Sequence, residues 1–220
     1  MPARAVIFDF DGVIVDSEPA HARAIEFALA ELGMPFPGRE NYGRYIGRGD
    51  RECFIEVARE QGRNLSGVEL ERLVSCKAGA FLRSAREGAI RPYAGTVALL
   101  REAAQRGPVG VCSGSLRDSV QPVLESLGLL ARLSVMVTAS DVARNKPDPA
   151  PYLLAAERLG LPPQDCIAIE DSPTGIRSAR AAGYTVHALC HSFPRDRLTD
   201  AHRVHESSAG LTVAHLFQDV

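Results

Sequence analysis

Five short apolar runs, separated by stretches of helical periodicity, constrain the fold of this chain more than any other feature. They are Arg4–Phe10, Val109–Cys112, Val135–Thr138, Cys166–Ile169 and Thr185–Leu189. Nearly continuous apolar sequence of this length suits a strand buried on both faces of a parallel sheet; strict alternation would mark a strand with one wet face. Helices are expected at Thr96–Gln105, Leu116–Leu127, Pro149–Leu159 and Pro173–Ala182, with Gly107, Gly128, Gly160 and Gly183 as their stops. Pro122 has no N–H to give, so its helix is expected to begin late, near Ser119, or to kink. The alternation of strand and helix predicts an α/β fold: a Rossmann-like parallel sheet core with helices on both faces.

One stretch breaks the rhythm. From Ser17 to about Arg86 the pattern is helical throughout. Ile25, Ala28, Leu29 and Leu32 share one face of a helix that Ser17 could cap and Gly33 could end. Phe54, Val57 and Ala58 mark a second helix, and Leu70, Leu73, Val74, Lys77 and Phe81 a third, with Ser66 and Glu69 at capping-box spacing. An all-helical domain, 17–87, is therefore expected to interrupt a core domain made of 1–16 and 88–220. Its junctions, Val15–Pro19 and Arg86–Pro92, should serve as linkers.

Composition narrows the class without naming a chemistry. A chain of 220 residues buries about 70% of its unfolded surface and needs no staple. Lys plus Arg is 25 and Asp plus Glu is 27, a formal charge of −2, which argues against a nucleic-acid binder. Apolar runs stay far short of the ~18 residues of a membrane span, and strand-like sequence begins too early for a signal peptide. Five scattered cysteines with no C-x-x-C pair read as reduced thiols, so a cytoplasmic location is expected.

The chemistry sits just past the ends of four expected strands, the edge at which open parallel sheets bind ligands. After the first come Asp9-Phe10-Asp11-Gly12 and Asp16. A carboxylate here can attack phosphorus or hold Mg²⁺ through hard oxygens, and a second two residues on can protonate a leaving oxygen and then activate water. After the next comes Ser113-Gly114-Ser115, an anion cradle or an ordinary turn. Asn145-Lys146-Pro147 offers a phosphate a compact positive charge, or is a solvated loop. Glu170-Asp171-Ser172-Pro173 can complete a magnesium shell or simply cap a helix.

Taken together and in this order, these motifs resemble the haloacid dehalogenase superfamily, specifically its β-phosphoglucomutase-like phosphatases with a helical cap inserted after the first motif. The resemblance covers essentially the whole chain; the run Glu170-Asp171-Ser172-Pro173-Thr174-Gly175, continuing through Ile176 to Ala182-Gly183, is its most specific part. It implies that Asp9 is the nucleophile and Asp11 the general acid and base. It implies Mg²⁺ held by the Asp9 carboxylate, the Asp11 carbonyl and Asp171, with Glu170 at or just behind the ion. It makes Ser113, the Gly114 backbone and Lys146 the phosphoryl-binding groups. Asp11 favours phosphate esters over halides, because an alkoxide leaving group needs a proton and a halide does not.

The implied activity is Mg²⁺-dependent hydrolysis of a small phosphorylated metabolite, a sugar phosphate or phosphoglycolate, through an aspartyl-phosphate. A β-phosphoglucomutase-type phosphomutase is the alternative, and a non-catalytic phosphometabolite sensor the alternative of another class. No nucleic acid or membrane partner is implied; a monomer suffices, and a dimer is compatible. The lysine motif departs from the usual Pro-x-Pro-Asp, reading Pro147-Asp148-Pro149-Ala150-Pro151. Where the mutases carry a phosphate-gripping arginine in the cap, this chain has Asp50, flanked by Arg48 and Arg51. With His21 and Lys77, these arginines are the candidate cap contacts; an exposed helical histidine and an ordinary amphipathic lysine are the plainer readings of the last two. The other histidines (His187, His191, His202, His205, His215) lack metal-ligand spacing and read as structural or solvated.

Overall fold

The computed structural model describes residues 5–46 and 49–217, with the backbone alone for Arg39 and Glu40. Ser17–Ile90 forms one compact unit, and the sequence on either side of it forms another.

The second of these units is built on a six-stranded sheet of β1 (Ala5–Phe8), β4 (Val109–Cys112), β5 (Val135–Val137), β6 (Cys166–Glu170), β7 (Thr185–Leu189) and β8 (Arg203–His205). Their spatial order is β5-β4-β1-β6-β7-β8, and every pairing is parallel. Counted along the chain this is the 3-2-1-4-5-6 order of a doubly wound sheet, whose switch point lies between β1 and β6. The register sets Phe8 opposite both Val111 and Ile169, so the three strands end together. β1 and β4 are buried at every position, as their unbroken apolar sequence requires. Helices α5 (Ala94–Ala103), α6 (Arg117–Ser126), α7 (Ala150–Leu159) and α8 (Pro173–Ala181) alternate with the strands, and α9 (Val213–Phe217) follows β8. Tyr152, Ala155, Ile176 and Ala179 of α7 and α8 pack with Ile7, Val137, Ala168 and Val186 in one apolar cluster.

Several expectations need correction. The first strand covers only Ala5–Phe8; Arg4 lies outside the described residues, and Phe10 already accepts turn hydrogen bonds from Ile14 and Val15. The sheet gains β8, a three-residue strand with no apolar run. Helix α6 begins at Arg117, so Pro122 sits inside it; a proline there costs the helix one backbone donor, and the residue four before it, Asp118, is exposed. Gly33, Gly128, Gly160 and Gly183 adopt positive φ after their helices, whereas Gly107 does not. The two junctions pair with each other: β2 (Val15–Asp16) and β3 (Arg91–Pro92) form an antiparallel ribbon, extended by the Tyr93 N–H on the Ile14 carbonyl.

The helical unit contains α1 (Glu18–Ala30), α2 (Arg39–Tyr42), α3 (Asp50–Glu60) and α4 (Gly67–Arg86). Ile25, Leu29, Phe54, Val57 and Leu73 meet in its core. Ser66 and Glu69 make the reciprocal capping box at the start of α4. Ser17 occupies the cap position of α1 without a capping side-chain bond, and its backbone is already helical where a capping serine is usually extended. No helix among the described residues is long and apolar enough to cross a membrane.

Candidate active site

The ends of β1 and β6 bring three acids together at the switch point. Asp9, Glu170 and Asp171 are 7%, 0% and 3% exposed, and each offers an oxygen within 4.8 Å of the others. The chain reverses immediately after Asp9, and that turn demands glycine at residue 12. Its φ is +74°, and a Cβ there would lie 1.8 Å from Asp171 Oδ2. Glu170 tucks beneath the first turn of α8, where a Cβ on Gly175 would fall 2.0 Å from its Oε1. Ser172 caps that helix by accepting from the Gly175 N–H.

Lys146 reaches into this cluster. Its ammonium donates to Asp9 Oδ1 at 2.9 Å, to the Cys112 carbonyl at 2.9 Å and to Glu170 Oε1 at 2.6 Å, so each of its three N–H bonds has an acceptor. Burial works against its charge, but Asp9 and Glu170 hold the proton on and carry its pKa well above that of an ordinary lysine. Burial pushes the Asp9 carboxyl up, to about 8; Lys146 opposes this, while Glu170 and Asp11 add to it. Glu170 has further partners. The Tyr152 hydroxyl donates to Oε1 at 2.8 Å, and the Asp171 N–H and Ser172 hydroxyl address Oε2 at 3.2 and 3.3 Å.

Asp11 lies one loop away, beneath the residues after β4. The Ser115 hydroxyl donates to Asp11 Oδ2 at 2.7 Å and the Ser113 hydroxyl reaches the same atom at 3.4 Å. The Gly114 carbonyl accepts from the Asn145 side chain at 3.0 Å, tying this loop to the one that carries Lys146. The expected core residues Asp9, Asp11, Ser113, Gly114, Lys146, Glu170 and Asp171 thus fall at one sheet edge.

The candidates in the helical unit have partners within that unit. His21 is half-buried and stacked on Phe81 with ring centroids 4.2 Å apart. Lys77 is buried, ion-paired to Asp50 at 2.8 Å and set over the Phe81 ring, so it is no ordinary solvated lysine. Arg51 pairs with Glu71 on the exposed surface. Arg48 lies outside the described residues.

The structure gives three residues at this edge partners that the sequence did not specify. Tyr152 holds Glu170, and Ser115 holds Asp11. His191, taken only as structural or solvated, stacks on Tyr93 at 3.9 Å and bonds through Nδ1 to the Gly12 carbonyl at 2.8 Å. A carbonyl can only accept, so Nδ1 carries a proton, and Nε2 takes the Ser208 N–H at 3.4 Å. Burial lowers the pKa of this imidazole, in keeping with the neutral form that pairing requires. Periodicity carries no signal for a histidine that reaches a turn 179 residues away.

Comparison with known proteins bears on what this edge does. Residues 3–183 match the family model described as haloacid dehalogenase-like hydrolase. The chain is 31% identical over 191 residues to phosphoglycolate phosphatase of Yersinia pseudotuberculosis, covering 86% of this chain and 82% of that protein. Its fold superposes on CbbY from Rhodobacter sphaeroides, solved in complex with phosphate, with a TM-score of 0.88 at 27% identity, covering 97% and 99% of the two chains. It matches β-phosphoglucomutase from Clostridium difficile in fold, with a TM-score of 0.86 at 24% identity and 98% and 96% coverage. A family match across most of the chain, joined to a curated phosphatase relative of nearly the same extent, places this protein among the haloacid dehalogenase-like hydrolases, as a phosphatase.

Proposed function

We propose that the chain is a Mg²⁺-dependent hydrolase of small phosphate monoesters, of the phosphoglycolate or sugar-phosphate type, acting through an aspartyl-phosphate on Asp9. The observation that carries this reading is the buried meeting of Asp9, Glu170 and Asp171 around Lys146. With Asp11, four carboxylates there face one ammonium. That surplus of hard oxygen donors suits a divalent cation, and oxygens within 4.8 Å of one another come close to the roughly 4.2 Å between opposite ligands of magnesium. Asp9, Asp171 and the Asp11 carbonyl would hold the ion; Glu170 would stand behind them, because its oxygens already accept from Lys146, Tyr152, Ser172 and the Asp171 N–H. Bound there, the ion supplies positive charge against the phosphoryl oxygens and allows Asp9 to remain ionised.

In this reading an Asp9 oxygen bonds to phosphorus as the ester P–O bond breaks, and the departing alkoxide takes a proton from Asp11. Water then adds to phosphorus, Asp11 takes its proton, and the bond to Asp9 breaks to release inorganic phosphate. Ser113, the Gly114 N–H and Lys146 hold the phosphoryl oxygens through both halves. The phosphatase relative makes 2-phosphoglycolate the first substrate to try. The phosphomutase alternative has the likeness of fold, but Asp50 is committed to Lys77 and cannot grip a second phosphate. A phosphate-release screen over phosphorylated metabolites, with and without Mg²⁺ and with Asp9→Asn as the blank, tests the proposal. Mg²⁺-dependent release that vanishes in Asp9→Asn is the expected result; release that persists in Asp9→Asn would overturn it.

A further inference from the structure

We propose that Ser115 is the positioning residue for Asp11, fixing the carboxyl group that exchanges protons with the leaving oxygen; the inference rests on the reading of Asp11 as acid and base. Two hydroxyls from one loop address Asp11 Oδ2, but unequally. The Ser115 contact, at 2.7 Å, is a full hydrogen bond, while that of Ser113, at 3.4 Å, lies at the weak limit. Ser113 Oγ also accepts the Ser115 N–H at 3.0 Å, so the two serines are fixed relative to each other. Their loop is rigid in its own right. The Ser113 N–H bonds to the Val137 carbonyl at 2.9 Å and the Ala139 N–H to the Ser115 carbonyl at 3.0 Å. Asn145 clamps Gly114 between them.

The distances divide the labour. Ser113 can turn its proton to a phosphoryl oxygen at little cost to Asp11, because Ser115 already supplies the strong bond. Asp11 itself sits on a turn that Gly12 makes sharp, and its side chain rotates about two dihedrals; proton delivery needs it held to within roughly 0.5 Å of its working position. The Ser115 hydroxyl, delivered from the β4–α6 loop, supplies that restraint from outside the turn. Ser115 touches neither the reacting phosphorus nor the leaving group in this account and acts through Asp11 alone.

The test compares kcat/KM for two esters, because this ratio reports on the steps through departure of the leaving group. One is the alkyl monoester turned over best in the release screen, whose alkoxide needs a proton; the other is 4-nitrophenyl phosphate, whose phenolate leaves unaided. Ser115→Ala should lose roughly tenfold to a hundredfold on the alkyl ester, and its loss on the aryl ester should be at least about fivefold smaller. Ser115→Thr, which keeps the hydroxyl, should recover most of the loss. Equal losses on both esters, undiminished activity, a gain, or no recovery by threonine would each overturn the proposal. Asp11→Asn, run in parallel, separates the two claims. A leaving-group-dependent loss in Asp11→Asn without one in Ser115→Ala refutes only the role of Ser115. Absence of that dependence in Asp11→Asn refutes the acid–base reading itself.

Discussion

The protein has two lysines, one in each of its compact units, and the contrast between them separates chemistry from architecture. Lys77 lies over the Phe81 ring at 5.4 Å and Lys146 over the Tyr152 ring at 5.1 Å. Both form short ion pairs. Lys77 has the carboxylate of Asp50, one charge against one. Lys146 is shared between Asp9 and Glu170, with Asp171 and Asp11 close by, so its neighbourhood keeps a surplus of negative charge. The first arrangement is electrostatically complete and the second is not. A cluster left incomplete inside a protein is costly, and the missing positive charge is what a divalent cation would supply.

The largest effect is expected at Asp9→Asn, which removes the nucleophile while keeping shape; turnover should fall at least about a thousandfold in phosphate-release assays. Lys146→Met should lower kcat roughly a hundredfold, as expected for loss of a group facing developing charge. Lys77→Met should leave kcat far less affected if its charge serves Asp50 alone, and equal losses in the two variants would erase the distinction.

Asp141 offers a third balance, one carboxylate held by two guanidiniums. Arg117 and Arg158 both contact it at 2.9 Å, and Thr138 donates its hydroxyl at 2.7 Å and its N–H at 2.9 Å. Burial alone would raise its pKa, but the Thr138 and arginine bonds win and hold it down at about 2, from 3.8. A depressed carboxylate contributes stability above its unfolded pKa and loses it as pH falls towards the folded one. Asp141→Asn should therefore cost about 2 kcal/mol in urea unfolding at pH 7, with the gap to the parent closing as pH drops from about 4 towards 2. A gap that does not change with pH would mean the arginines contribute packing rather than charge.

The smallest effects belong to the helical unit. Asp50→Ala strands a buried ammonium but is eased by the partial exposure of Asp50, so a loss on the order of 1 kcal/mol is expected. Pairing Asp50→Asn with Lys77→Met should return most of that loss. Arg51→Ala, at an exposed pair, should stay within about 0.5 kcal/mol. Thermal or urea unfolding of the three variants checks this ranking.

What could be read from sequence was what is local. The strands that carry the edge announced themselves as unbroken apolar runs, and Asp9, Lys146, Glu170 and Asp171 stand directly after them or at a proline-marked turn. What stayed hidden depends on pairing across the fold. Arg203–His205 holds a single apolar residue, Val204, between two polar ones, too short a signal to mark the strand that forms where β7 offers an edge. The β2–β3 ribbon is two residues a side, and its halves lie on opposite flanks of the helical insertion. Ser115 reads as a turn residue until its hydroxyl is seen on Asp11, 104 residues away. Pro122 misled for the opposite reason, since a local rule yielded to a helix whose buried face, Val120, Val123 and Leu124, holds it in place.

The claim that the Lys146 cluster is incomplete is tested most directly by titrating metal-free protein with MgCl₂ in a calorimeter, with no substrate present. A single saturable site is predicted in the parent protein, lost in Asp171→Asn and retained in Lys77→Met. No saturable binding in the parent, or unchanged binding in Asp171→Asn, would contradict the account.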